Sequence, residues 1–148
     1  MLGGRQGRKS ETGVQATAFF GKTYDEAMDL LLEARDYLAH REPVDRTALL
    51  PHERLRFCGE TMRLTARLTQ IMAWLLAQRA VHAGELTQQA ALAEQSALAN
   101  LDVCMEDELE VAAVMPQRLL SLLERSRRLY VRVARLDDLA RRQLDGFS

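Results

Sequence analysis

Apolar residues recur in three blocks at alternating steps of three and four, the spacing of helices that pack through a seam. In the first block, Phe20, Tyr24, Ala27, Leu31, Ala34 and Leu38 form an unbroken seam. Thr23 is placed to cap its regular part, Asp25 and Glu26 face the positive end of the helix dipole, and Pro43 is expected to stop it. The second block opens at Pro51, a favoured first helical position, and runs to about Val81 with Gly59 as its only breaker. At 1.5 Å per residue such a helix is about 45 Å long. It carries two stripes, Phe57, Leu64, Leu68, Ile71, Leu75 and Leu55, Cys58, Met62, Met72, Leu76, with Thr65 and Thr69 between them. Stripes one position out of register lie about 100° apart around the axis, too wide a face for one seam. Either two helices of the same subunit cover it or a second subunit does. The third block follows Pro116, with a seam of Met115, Leu119, Leu122, Ser126, Leu129, Val133, Leu136 and Ala140. Gly146 marks its expected end.

The intervening segments differ in character. Residues 1–18 are Gly-rich, polar and basic, and are expected as a flexible tail because they cannot bury enough surface to offset their ordering entropy. Their glycines follow no strand and lack the Gly-Lys-Ser/Thr ending of a phosphate loop. Residues 85–114 hold seven acids and no Lys or Arg, an acidic connector that is expected to be helical in part. The domain reading is a tail over 1–18, an all-α three-helix bundle over 19–145 that includes the connector, and a short end at 146–148.

Composition narrows the function classes. The chain has 148 residues, 47% apolar and 28% charged, with a formal charge of −1, which suits one globular domain and argues against a cationic nucleic-acid-binding surface. The longest uncharged run of the helical body, Leu68 to Gln78, is too short to span a bilayer, and no apolar segment follows the basic N-terminus to make a secretory signal. Cys58 and Cys104 form no CxxC and suit a reducing compartment, so a cytoplasmic protein is the expectation.

No catalytic or metal pattern emerges. His40, His52 and His82 each stand near a helix end and belong to no HExxH or Cys/His cluster. The residues three after Glu33, Glu53 and Glu60 are Asp36, Arg56 and Arg63, so a Glu-xx-His di-iron signature is absent. No enzyme and no cofactor are expected. The arginines of the third helix, Arg125, Arg127, Arg128, Arg132 and Arg135, are expected to pair with Asp25, Glu26, Asp29, Glu33 and Asp36 of the first helix or with the acidic connector.

The stretch from Glu60 to Leu68, then Trp74 to Glu85, with Leu49-Leu50-Pro51 upstream and Arg128 to Asp137 downstream, resembles the regulator of CtrA degradation (RcdA-like) family of α-proteobacteria. The resemblance covers roughly residues 20–140. It implies a homodimeric, non-catalytic three-helix bundle that acts as a proteolytic adaptor. Such an adaptor cooperates with a priming response regulator to deliver cargo transcription factors such as CtrA to the protease ClpXP, concentrated at the cell pole. The acidic connector and the short C-terminal end depart from the family pattern. Arg63, Arg67, Trp74, Arg79, Tyr130 and Arg132 fall on or beside the matching motifs and are the candidate dimer or partner contacts. For Trp74 and Tyr130 a plain core position is the competing reading. The alternative function is a scaffolding helical dimer that binds another regulator, unrelated to proteolysis.

Overall fold

The structure is a computed structural model that describes the backbone of residues 6–94 and 115–146 and the side chains of residues 20–93 and 115–146. The described residues are helical throughout, joined by turns, and contain no strand, so the all-α bundle expected from the periodicity is the observed class. Three long helices make the body: α1, Gln6–Asp36; α3, Pro51–His82; and α5, Gln117–Asp145. Two short helices, α2 (Glu42–Thr47) and α4 (Gln88–Glu94), lie in the connections. Within the acidic connector, residues 95–114 lie outside the described residues.

Two expectations about the first helix change. Residues 6–18, expected as part of a tail, are helical, and Thr23 is a buried residue inside α1 rather than its cap. Once a helix is nucleated each further residue adds one hydrogen bond for one residue fixed, so a polar stretch can extend it. Pro43 does not stop the chain either. Residues Tyr37–Arg41 form a π turn, and Pro43 then sits in the first turn of α2, where its missing N–H has no intrahelical partner to lose.

The other termini follow local chemistry. At the start of α3 the Glu53 carboxylate accepts a hydrogen bond from the Leu50 backbone N–H at 2.9 Å, behind Pro51 at the first position. Its end is a Schellman turn: Glu85 N–H reaches the Ala80 carbonyl at 2.9 Å and Gly84 N–H the Val81 carbonyl at 3.1 Å. Gly84 takes a φ of 76° there, a conformation that costs any residue with a Cβ. Thr87 caps α4 by accepting from the Ala90 N–H.

Side-chain pairs reveal the topology. Phe20 lies against His82 and Tyr24 against Arg79, while Glu26 meets Arg132 and Glu33 meets Arg125. Helix α1 is therefore antiparallel to both α3 and α5. Arg67 reaches Leu123, and Trp74 reaches Asp137, so α3 and α5 run parallel. The end of α3 and the start of α5 therefore lie at opposite ends of the bundle, separated by about the 48 Å length of α3 at the helical rise.

The core lies along the axis. From α3 it takes Phe57, Leu64, Leu68, Ile71 and Leu75, the first predicted stripe. From α5 come Leu119, Leu122, Leu129 and Val133 of the predicted seam, with Leu123 and Tyr130 beside them. On α1 the buried face centres one position away from the expected seam, on Thr23, Ala27, Leu30, Ala34 and Tyr37, with Phe20, Tyr24, Leu31 and Leu38 half-buried at its edge.

Candidate functional site

The six candidate contacts do not converge on one surface. Arg67 is fully buried, and its Nη1 donates to the Leu123 carbonyl at 2.9 Å and to Ser126 Oγ at 3.4 Å. Trp74 is buried and donates from Nε1 to Asp137 Oδ1 at 3.0 Å. The other oxygen of Asp137 accepts from Arg141 Nε at 3.0 Å, and Arg141 Nη2 donates to the Leu92 carbonyl of α4 at 3.1 Å. Tyr130 has no exposed surface. Arg67 and Trp74 tie α3 to α5 and Arg141 ties α5 to α4, while Arg67, Trp74 and Tyr130, all buried, offer no open surface to a partner.

The other three are tied within the protomer. Arg63 pairs with Glu60 one turn away. Arg79 stacks over the Tyr24 ring, its guanidinium carbon 5.4 Å from the centroid. Arg132 grips Glu26 through both terminal nitrogens, at 2.6 and 3.2 Å. One heptad away, Arg125 grips Glu33 in the same two-pronged way, at 2.6 Å for each contact. The pairing expected between the third and first helices thus forms at two positions. The hydrogen bond to Arg125 and its positive charge hold the Glu33 carboxyl below its ordinary pKa, against a smaller opposing effect of burial.

What remains open to a partner is the second predicted stripe of α3. Leu55 and Met62 are 80% and 72% exposed, and Leu76 is also exposed, while Cys58 and Met72 are half-buried. Leu55, Met62, Thr69 and Leu76 recur at sevens and so lie on one face. Along this face Thr61, Thr65 and Thr69 turn their hydroxyls back onto the carbonyls of Cys58, Thr61 and Thr65, at 2.8–2.9 Å. Their hydrogen-bonding capacity is largely spent on their own helix, which makes the surface more apolar than its composition suggests. Through Thr65 and Thr69 the stripe continues into a groove of about 410 Å³ between α1 and α3, floored by Leu31, Ala34, Leu38 and Leu68. Of the two ways to cover the wide face of the second helix, α1 and α5 cover only part of it.

The residues that organise the interior were visible as seven-residue recurrences that mix polar and apolar types. Glu60, Arg67 and Trp74 form one such column on α3, and Leu123, Tyr130 and Asp137 another on α5, all buried. An apolar-only search passes over them. Among the described residues, no group of three or more His, Cys, Asp or Glu side chains is arranged to hold a metal ion. Nor is any described helix long and apolar enough to cross a membrane.

Comparison with known proteins connects this geometry to a family. Residues 12–146 match a family described as "Protein of unknown function (DUF1465)". The crystal structure of RcdA from Caulobacter crescentus CB15 superposes with a TM-score of 0.66 at 38% sequence identity, covering 82% of this chain and 89% of that one. No curated protein matches the chain. With a family model spanning nearly all of its length and a solved relative of the same bundle more than a third identical, the chain belongs to the DUF1465 family and is RcdA-like.

Proposed function

We propose that the protein is a non-enzymatic adaptor that helps deliver regulatory proteins, CtrA among them, to the ClpXP protease, working as a homodimer in the cytoplasm with a priming response regulator. The observation that carries this reading is the 38% identity with RcdA across most of both chains. The exposed stripe Leu55, Met62, Thr69 and Leu76, with its back-bonded threonines, supports association with a second copy, since a heptad-spaced apolar face is self-complementary. Concentration at the cell pole belongs to the same reading.

The test is reconstituted proteolysis. Purified ClpXP, the cognate response regulator and CtrA are mixed with and without this protein, and loss of CtrA is followed with time. Faster degradation that requires both the regulator and this chain is the expected result. An unchanged rate, together with affinity capture that enriches a different regulator and no ClpX, would overturn the adaptor role in favour of a scaffold.

A further inference from the structure

Between the C-terminal end of α1 with its π turn and the first turns of α5 lies an open cleft of about 700 Å³. Tyr37, His40, Arg41, Arg118 and Ser121 wall it. Two carboxylates, Glu33 and Asp36, also border it, and both are already engaged. Glu33 is held by the two terminal nitrogens of Arg125, and Asp36 lies 3.3 Å from Arg35 Nη2. The Tyr37 hydroxyl is committed too, donating to Asp45 Oδ2 at 2.8 Å. Its proton is held above the usual tyrosine range by burial first and by Asp45 second.

Arg41 and Arg118 differ from these neighbours. Both are exposed, and neither makes a hydrogen bond or ion pair with another described residue. The surface arginines around them are spent on acids: Arg46 on Glu42, Arg125 on Glu33 and Arg128 on Glu124. Two guanidinium groups from different elements thus border one opening with no acid among the described residues bound to them. A guanidinium fork matches a carboxylate in shape and charge, and two of them at one cleft favour a ligand with more than one carboxylate. The polar walls disfavour an apolar helix, and the volume lies in the range of pockets that hold a few side chains of a ligand.

We propose that this cleft docks an acidic peptide segment of a partner protein, its carboxylates held by Arg41 and Arg118. The proposal is independent of the protease reading, because it specifies the chemistry of the docking segment and not the fate of the protein that carries it. Anisotropy of fluorescein-labelled hexaglutamate, titrated with the full chain, tests it. Saturable binding that weakens with added salt is expected, and it should weaken about tenfold in the double variant Arg41→Glu/Arg118→Glu. The charge-matched control Lys22→Glu/Arg135→Glu, placed elsewhere on the surface, should stay within about twofold of the parent. Unchanged melting by circular dichroism shows that each variant is folded. Absence of saturation, equal weakening in both double variants, or displacement of the peptide by millimolar inorganic phosphate would each overturn the proposal. The last would reassign the cleft to a small anion.

Discussion

Replacing Asp137 by Ala strikes the point where three helices are tied. Its carboxylate is buried, accepts Trp74 Nε1 from α3 through one oxygen and Arg141 Nε through the other, and Arg141 continues to the Leu92 carbonyl of α4. Alanine leaves the indole N–H buried without an acceptor, a cost of about 1–3 kcal/mol. Arg141 loses its counter-charge but is about one-third exposed and recovers part of that loss from water. A total near 3 kcal/mol follows, which for a chain of this size lowers the melting temperature by roughly 6–12 °C. Thermal and urea unfolding by circular dichroism at one fixed protein concentration measures it, since association shifts the midpoint. The stringent arm is a double-mutant cycle with Trp74→Phe, which removes the orphaned donor. The double variant should be more stable than the sum of the single losses predicts, by about 1 kcal/mol. Asp137→Asn keeps an acceptor for the indole and should lose less than alanine. A melting point within a degree or two of the parent, or strictly additive losses, refutes the reasoning.

Other consequences are as direct. Gly59 lies within α3 with open space where a Cβ would stand, so Gly59→Ala should stabilise the fold by roughly 0.5–1 kcal/mol. Gly84→Ala, also sterically open but held at positive φ, should cost about 1 kcal/mol, and paired urea titrations read both signs. Because Arg125 lowers the folded pKa of Glu33 below its ordinary 4.5, the contribution of the pair is complete above the unfolded value and is lost as pH falls through the folded one. The stability gap between the parent and Glu33→Gln should therefore close in acid, and since both partners are about half exposed it should not exceed about 1 kcal/mol at neutral pH. If the exposed stripe joins two copies, Met62→Asp should bring the mass by light scattering down to that of the 16.8 kDa protomer with helicity intact. A monomeric parent protein, or a variant that stays dimeric, would exclude that face.

The sequence carried the bundle and the second and third seams because Leu, Ile and Val at three- and four-residue steps dominate burial. It misplaced the face of α1 by one position. Ala27 and Ala34 of the expected seam are buried, but the bulky Phe20, Tyr24, Leu31 and Leu38 outweigh Thr23 in a hydrophobic reading, and the buried face turns from them toward Thr23, Leu30 and Tyr37, leaving Leu31 and Leu38 at the groove. Arg67 read as a surface contact for a comparable reason: burial of a guanidinium depends on the Leu123 carbonyl and Ser126, which lie far along the chain. The π turn before Pro43 was equally hidden, since a proline signals a lost N–H but not whether the chain stops or adds a wider turn.

The parallel alignment of α3 and α5 bears on how the protein comes into being. Among the described residues, the side-chain ties between α5 and the rest of the bundle join residues far apart in sequence, 56 positions for Arg67 with Leu123 and 106 for Arg132 with Glu26. Contacts at such separations require large loops to close before they return any stabilisation, which slows folding relative to a bundle whose neighbours are joined by short turns. On the ribosome α1 and α3 emerge first and can pair as an antiparallel hairpin, but Arg67 and Trp74 wait for their partners on a helix not yet made. The nascent hairpin therefore carries an unfinished apolar face, and docking of α5 completes the fold.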